Sequence, residues 1–175
     1  PAALAENTKL SMEMYELART TRMAYGQARD LEQKLEAVDQ QQHVGIGQLK
    51  AQIDSVAPSE ARGGRRGFGG FGGRGGARPA ITLNGASSAA LAASLAMQAA
   101  EIAPTAAQIA ACARARDEVR DALARWNATK TTGLSKFNAM LKTKGQPAVT
   151  LPALRLPAAL PSDENGNVNE NENDG

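Results

Sequence analysis

Apolar side chains recur at alternating spacings of four and three along residues 10–38 of this 175-residue chain. Only an α-helix places side chains with that spacing on one side, as in helices that pack lengthwise against others. We therefore predict one helix from about Ala3 to Val38, roughly 50 Å long. Such a helix is marginal alone, so its apolar stripe needs partner helices. The stripe comprises Leu10, Met14, Leu17, Thr21, Ala24, Ala28, Leu31, Leu35 and Val38.

Two shorter helical segments follow. After a polar break with two glycines at residues 40–47, a brief apolar repeat predicts a second helix that ends before Pro58. Helical signals return at Ser87 in an Ala-rich segment. There Leu91 and Leu95 mark one face, with Gln98 and Ile102 further along, and the small alanines allow a neighbouring helix to approach closely.

The C-terminal helices are the best delimited by local signals. Thr105 and Gln108 have the spacing of a capping box, and Gly145 has the position of a C-cap. A weak point is expected at residues 131–133. The predicted packing stripe runs through Ile109, Cys112, Arg116, Val119, Leu123 and Trp126 and continues with Leu134, Phe137 and Leu141; we expect Arg116 and Gln98 to lie at the edges of their stripes.

The composition agrees with helix-on-helix packing. Aromatic residues make up only 3% of the chain, which argues against a β-sandwich core. We predict an all-α fold, an elongated antiparallel hairpin or bundle of four to five helices. The predicted divisions are a long helix plus a short helix at 1–57, a disordered Arg/Gly-rich loop at 58–83, the Ala-rich and C-terminal helices at 84–147, and a disordered Pro/Leu then acidic Asn-rich tail at 148–175.

A run rich in Arg, Gly and Phe is the sharpest local chemical signal. It resembles RGG-type segments, which bind RNA by phosphate attraction and base stacking. It also fits a flexible loop between helices, and a single short run inside a helical domain favours the loop over nucleic-acid binding. The residues that would contact a polyanion or nucleic acid are Arg62, Arg65, Arg66, Phe68, Phe71, Arg74 and Arg78.

The remaining reactive residue types favour structural interpretations. The single cysteine, Cys112, lies on an apolar stripe and is expected to be a small buried residue. His43 stands alone in a polar break, so we predict no metal site and no cofactor. Each carboxylate of the first helix is expected to have a neighbouring base or a solvent-facing position, and residues 86–103 are too weakly hydrophobic to span a membrane.

Two segments carry a resemblance to a known family. Residues 1–38 resemble the helix that follows the β-propeller in large secreted bacterial BNR-repeat or sortilin (VPS10)-like proteins, which are often labelled glycosyl hydrolases. Residues 103–149 are similar to the closing helices of that family. The matching residues, in family order, are Pro104, Thr105, Trp126, Leu134, Phe137, Asn138, Leu141, Gly145 and Pro147.

The resemblance implies an exported parent protein, secreted or periplasmic, with a propeller upstream of a chain that is itself a fragment. The matching motifs concern packing and capping, so no catalytic residue is carried over. Our leading hypothesis is a non-catalytic module that braces the propeller or mediates assembly through its stripes, including as a homo-oligomer. The alternatives are polyanion binding through the Arg/Gly/Phe run and an accessory role in a glycoside hydrolase whose active site lies upstream.

Overall fold

A computed structural model describes residues 2–59, 80–98 and 103–154 of the chain, and within those ranges it contains helices and no β-strand. The prediction of an all-α helical bundle is confirmed. The elements are α1 (Ala2–Gln42), α2 (Gly47–Val56), α3 (Leu83–Gln98), α4 (Ala106–Ala128), a π-helix (Thr129–Gly133) and α5 (Leu134–Thr143).

The long helix α1 is the central element of the bundle, and at 41 residues it is about 60 Å long. Its stripe faces the core as predicted. Thr21 is fully buried, and its hydroxyl donates to the carbonyl of Leu17 at 2.7 Å, so this polar stripe residue is satisfied within its own helix. Leu10, Leu17 and Val38 are partly buried against a core that includes Met14, Ala24, Ala28, Leu31 and Leu35.

Helix α3 runs antiparallel to α1 and is its main packing partner. The Ser87 hydroxyl donates to the carbonyl of Ala18, and the Ser94 hydroxyl donates to the carbonyl of Ser11, both at 2.9 Å. Small side chains allow this close approach. The buried side of α3 consists of Leu83, Ala86, Ser87, Ala90, Ala93, Ser94 and Met97.

Helix α4 runs parallel to α1 and packs on both α1 and α3. Its first turn has the predicted capping box, in which the Thr105 hydroxyl accepts from the amide of Gln108 and the Thr105 amide donates to Oε1 of Gln108. The buried line of α4 is Cys112, Ala115, Val119, Ala122 and Trp126.

The placement of Ile109 on the packing stripe is wrong, because its side chain is 44% exposed. Seven residues separate Ile109 from Arg116, so both lie on the same side of α4. That side is at the edge of the contact with α1, where Arg116 pairs with Glu13, as the edge interpretation of Arg116 predicted. The Gln108 side chain anchors the same turn by donating to the carbonyl of Ala96 at 2.7 Å.

The expected weak point before α5 is a π-helix, and α2 packs against it. A Cβ on Gly133 would collide with the side-chain oxygen of Gln52 and lie 3.1 Å from Cδ1 of Leu49, so glycine permits this approach. In α5, Leu134, Phe137 and Leu141 are buried. Gly145 has φ +69 just after the helix, which confirms the predicted C-cap.

Residues 148–154 are held on the bundle, whereas the sequence placed them in a disordered tail. The Asn138 side chain donates to the carbonyl of Val149 at 3.0 Å and accepts from its amide at 2.9 Å. Further on, the carbonyl of Pro152 accepts from Nε2 of Gln27 at 2.7 Å. The side-chain amide of Asn138 thus satisfies the backbone N–H and C=O groups of Val149, which have no helix or strand partner.

Candidate interaction surface

Most side chains of the predicted packing stripes pack against one another inside the chain. Of their members, Met14, Leu31, Leu35, Val119, Trp126, Leu134, Phe137 and Leu141 are buried, while Leu10, Leu17 and Leu123 are partly buried against the core. These side chains already contact each other's helices, so they are not available to a second chain. The apolar side chains that remain exposed are the ones that a second chain can contact.

The predicted polyanion-binding residues lie outside the described residues. This applies to all seven, Arg62, Arg65, Arg66, Phe68, Phe71, Arg74 and Arg78. Polyanion binding therefore stays a prediction from the sequence.

Five large apolar side chains are exposed on helices α1 and α3, each between 42% and 56%. We call their common surface the outer α1–α3 face. It is formed by Leu4, Met12 and Tyr15 of α1 and by Leu91 and Leu95 of α3.

The geometry of the helix pair places these side chains on one side of it. Ser11 of α1 and Ser94 of α3 mark the line where the two helices touch. Each residue advances the direction of a side chain by about 100° around the helix axis. By that rotation, Tyr15 lies about 40° and Met12 about 100° beyond Ser11, and Leu95 lies about 100° beyond Ser94. Equal rotations on two antiparallel helices point to the same side of the pair.

A cavity at one end of the outer α1–α3 face supports this placement. It has a volume of about 360 Å³, and residues of both helices line its opening. Its polar wall is ordered, because Nε2 of Gln98 donates to the Ser11 hydroxyl at 3.1 Å. The apolar wall is formed by Leu4, Met12 and Met97.

The α3 half of the face carries no charge, since none of its sixteen residues is Asp, Glu, Lys or Arg. The exposed side of a surface helix usually carries polar and charged residues. Here the exposed residues between the termini of α3 are Gly85, Ser88, Leu91, Ala92, Leu95 and Ala96. On the α1 side, Glu16 and Arg19 form an exposed ion pair with Nε and Oε2 3.2 Å apart.

Leu91 and Leu95 lie on one face of the Ala-rich helix, as the sequence predicts, but this face is exposed and does not pack in the core. The buried side consists mostly of Ala and Ser, which hydropathy ranks below Leu. The sequence carries no signal that separates the two sides of this helix, because neither side has a charged residue.

The ion pairs between helices hold neighbouring helices together. Arg116 makes a two-pronged contact with Glu13, with Nε–Oε1 at 2.5 Å and Nη2–Oε2 at 2.8 Å. The hydrogen bond from Arg116 lowers the pKa of Glu13, and the same bond raises the pKa of Arg116. This pair joins α1 to α4.

A second group of charges joins α1 to α2. Glu32 is a buried residue, and its carboxylate contacts Lys50 at 2.8 Å and also Arg29. Lys50 contacts Glu36 as well, and the hydrogen bonds to Glu32 and Glu36 raise the pKa of Lys50. Because the buried carboxylate has cations beside it, the cluster neutralises its own charge and clamps α2 onto the long helix.

Cys112 is buried between helices, as predicted, and burial raises the pKa of its thiol. A buried thiol of raised pKa is a poor nucleophile, since the thiolate is the reactive form. His43 lies in the α1–α2 connection with φ 52, a left-handed conformation, and its side chain is exposed.

The π-helix borders a second cavity, of about 440 Å³, between α2, α4 and α5. Its floor is apolar, with Leu49, Phe137 and Met140, and its rim includes Gln52 and Lys136. Gly133 brings α2 close at this point, so the π-helix serves the packing of α2 on the C-terminal helices.

Across residues 2–59, 80–98 and 103–154, no group of three or more His, Cys, Asp or Glu side chains is placed to hold a metal ion. None of the described helices is both long enough and apolar enough to cross a membrane.

Comparison with protein-family models, with curated proteins and with solved structures gave no match for this chain.

Proposed function

We propose that this chain is a non-catalytic helical module that binds another protein surface through the outer α1–α3 face. The observation that carries the proposal is the exposure of five large apolar side chains on a bundle whose packing stripes are already buried. A contiguous apolar patch of several hundred Å² is at the upper end for a monomeric protein and commonly marks an interaction site.

The chemistry of α3 supports this role. A helix side that remains in water gains solubility from charged residues, and α3 has none. Its exposed Leu91 and Leu95 are flanked by Ser88, Ala92 and Ala96, whose small side chains let a second backbone approach closely. These features suit a protein–protein contact and give no chemical group for catalysis.

The family resemblance supplies a context for the proposal. The motif residues that carry it perform packing and capping in this fold: Trp126, Leu134, Phe137 and Leu141 are buried, and Thr105 caps α4. We propose that the parent is an exported β-propeller protein in which this module mediates assembly. The full coding sequence of the parent should then include propeller repeats before this module, and a full coding sequence without them would contradict this context.

The proposed function requires that the outer α1–α3 face is not needed for folding. In samples dilute enough to keep the chain monomeric, replacing both leucines in one variant, Leu91→Glu with Leu95→Glu, should leave the helical circular dichroism unchanged and shift the melting temperature by no more than a few degrees. Exposed substitutions away from packing contacts usually change stability by about 0.5 kcal/mol or less.

The matched control is Ala90→Glu on the buried side of the same helix, where the side chain has no exposed surface. This variant should lose most of its cooperative melting, because it places an unpaired carboxylate in the core. If the double variant melts as poorly as Ala90→Glu, the two leucines serve the fold and the proposed function is wrong.

A further inference from the structure

The lack of charge on α3 bears on the kind of partner that fits the outer α1–α3 face. In a two-fold symmetric dimer the same patch of each copy meets itself, so a charge near the axis is brought against its own copy and repels it. The exposed side of α3 can meet itself without that cost, because none of its residues is ionisable.

The charges at the rim are also compatible with self-recognition. Glu16 and Arg19 lie next to each other on α1, both on exposed positions. A rim that carries both signs can pair with its own copy, since rotation about a two-fold axis presents the cation of one copy to the anion of the other. A partner whose surface is strongly acidic or strongly basic would find complementary charge neither on α3 nor on this rim.

The size of the face agrees with a dimer contact. From their exposed fractions, the five large side chains contribute on the order of 500 Å² of apolar surface. Standard-size protein interfaces bury about 800 Å² on each partner. The exposed Gly85, Ser88, Ala92 and Ala96 of α3 extend the face towards that area. A two-helix face packed on its own copy would form a four-helix arrangement, a common way to bury such surfaces.

The cavity between α1 and α3 gives the face a shape as well as a chemistry. It opens beside Leu4 and Met12 and is lined on the other side by Met97 and Gln98. Its volume of about 360 Å³ accommodates an apolar side chain from a facing helix. Exposed leucines such as Leu95 supply such side chains on the same face.

Resting on the proposed function, we infer that the partner is a second copy of this chain, joined as a two-fold dimer through the outer α1–α3 face. The packing stripes take no part in this contact, because they are buried within each copy.

The test is the mass of the full chain in solution, measured by light scattering after size exclusion between about 1 and about 100 µM, a span that covers moderate values of Kd. The native chain should reach twice the 18.2 kDa of one chain as concentration rises. The variant with Leu91→Glu and Leu95→Glu should stay at 18.2 kDa throughout, since it opposes like charges across the two-fold contact.

The matched control is Ile109→Glu. Ile109 is 44% exposed, similar to the 42% of Leu91, but it lies on α4 beside the α1–α4 contact. This variant should dimerise like the native chain. The inference is overturned if the native chain is monomeric at every concentration, if the double variant still dimerises, or if Ile109→Glu also dissociates the dimer.

The melting temperatures keep the two proposals apart. A native chain that is monomeric, with a double variant that melts normally, overturns the second copy as partner and leaves the face free for a different protein. A double variant that unfolds overturns the proposed function itself.

Discussion

Gln27 and Trp126 are 99 positions apart in the chain, and they meet in the core. Oε1 of Gln27 accepts from Nε1 of Trp126 at 3.3 Å, while its Nε2 donates to the carbonyl of Pro152. The sequence placed Trp126 on a packing stripe correctly. Nothing in the sequence singles out Gln27, because its importance depends on partners that only folding brings near it.

The Glu13–Arg116 pair gives a pH dependence at the scale of single residues. The pKa of Glu13 is lowered from its ordinary 4.5 in the folded chain, so its contribution to stability is present above that value. The contribution is lost as the pH falls through the lower folded pKa. Because both side chains are substantially exposed, we expect a small effect that added salt weakens.

Urea unfolding at a series of pH values from about 7 to about 3 measures this contribution. The variant Glu13→Gln should show a smaller loss of unfolding free energy over the acidic part of the range. A variant that loses stability as steeply as the native chain would contradict the role of this carboxylate.

At the scale of elements, α3 is the helix whose orientation the sequence left open. Both of its sides are rich in uncharged residues, so hydrophobicity does not separate core from surface as it does for α1. Packing against α1 sets the orientation of α3. The backbone carbonyls of Ser11 and Ala18 in α1 accept hydrogen bonds from the hydroxyls of Ser94 and Ser87. Hydroxyls bonded across the contact, with alanines between them, give a closer helix pair than leucines would.

This orientation predicts that substitutions at two neighbouring residues change the free energy of unfolding by different amounts. Ala90→Leu should lower the free energy of unfolding by about 1–3 kcal/mol, because the added side chain has no room between α3 and its partners. Leu91→Ala should change it by about 0.5 kcal/mol or less in a monomeric sample. Urea titration of both variants measures the difference. The reverse order would mean that α3 is rotated from the orientation described here.

At the scale of the whole molecule, residues 148–154 link the last helix, α5, to the middle of the first helix, α1. Val149 is buried and bracketed by Asn138 of α5, and Pro152 accepts from Gln27 of α1. The segment has no regular secondary structure, which is why its sequence of prolines and leucines resembles a disordered tail. It is ordered by side chains that supply the hydrogen bonds a strand partner would otherwise supply.

Two shortened chains test this link. A chain that ends at residue 145 should lose about 2–4 kcal/mol of unfolding free energy, since it exposes the core around Val149 and leaves Nε2 of Gln27 without its acceptor. A chain that ends at residue 154 keeps every one of these contacts and should match the full chain. Thermal and urea unfolding compare the three, and equal stability of both shortened chains would contradict the link.

The sequence by itself predicted the helices of the described residues and some of their ends. The predicted end of α1 at Val38 and the predicted start of the Ala-rich helix at Ser87 each lie four residues inside the observed ends at Gln42 and Leu83. Periodicity located the α1 stripe, and local signals located the capping box at Thr105 and the C-cap at Gly145, because each depends on residues a few positions apart. The same local character explains two errors. Ile109 has the right spacing but lies at the edge of a contact, and residues 148–154 lack a local signal for order.

The tertiary structure alone decided which side of each helix remained exposed, and with it the candidate site. The strongest stripes were the natural prediction for an assembly surface, yet the bundle buries them within one chain. The outer α1–α3 face is formed by two helices that touch at Ser11 and Ser94, which are 83 positions apart in the sequence. Packing between distant segments fixes rotation about each helix axis, and periodicity within one segment carries no information about its neighbour.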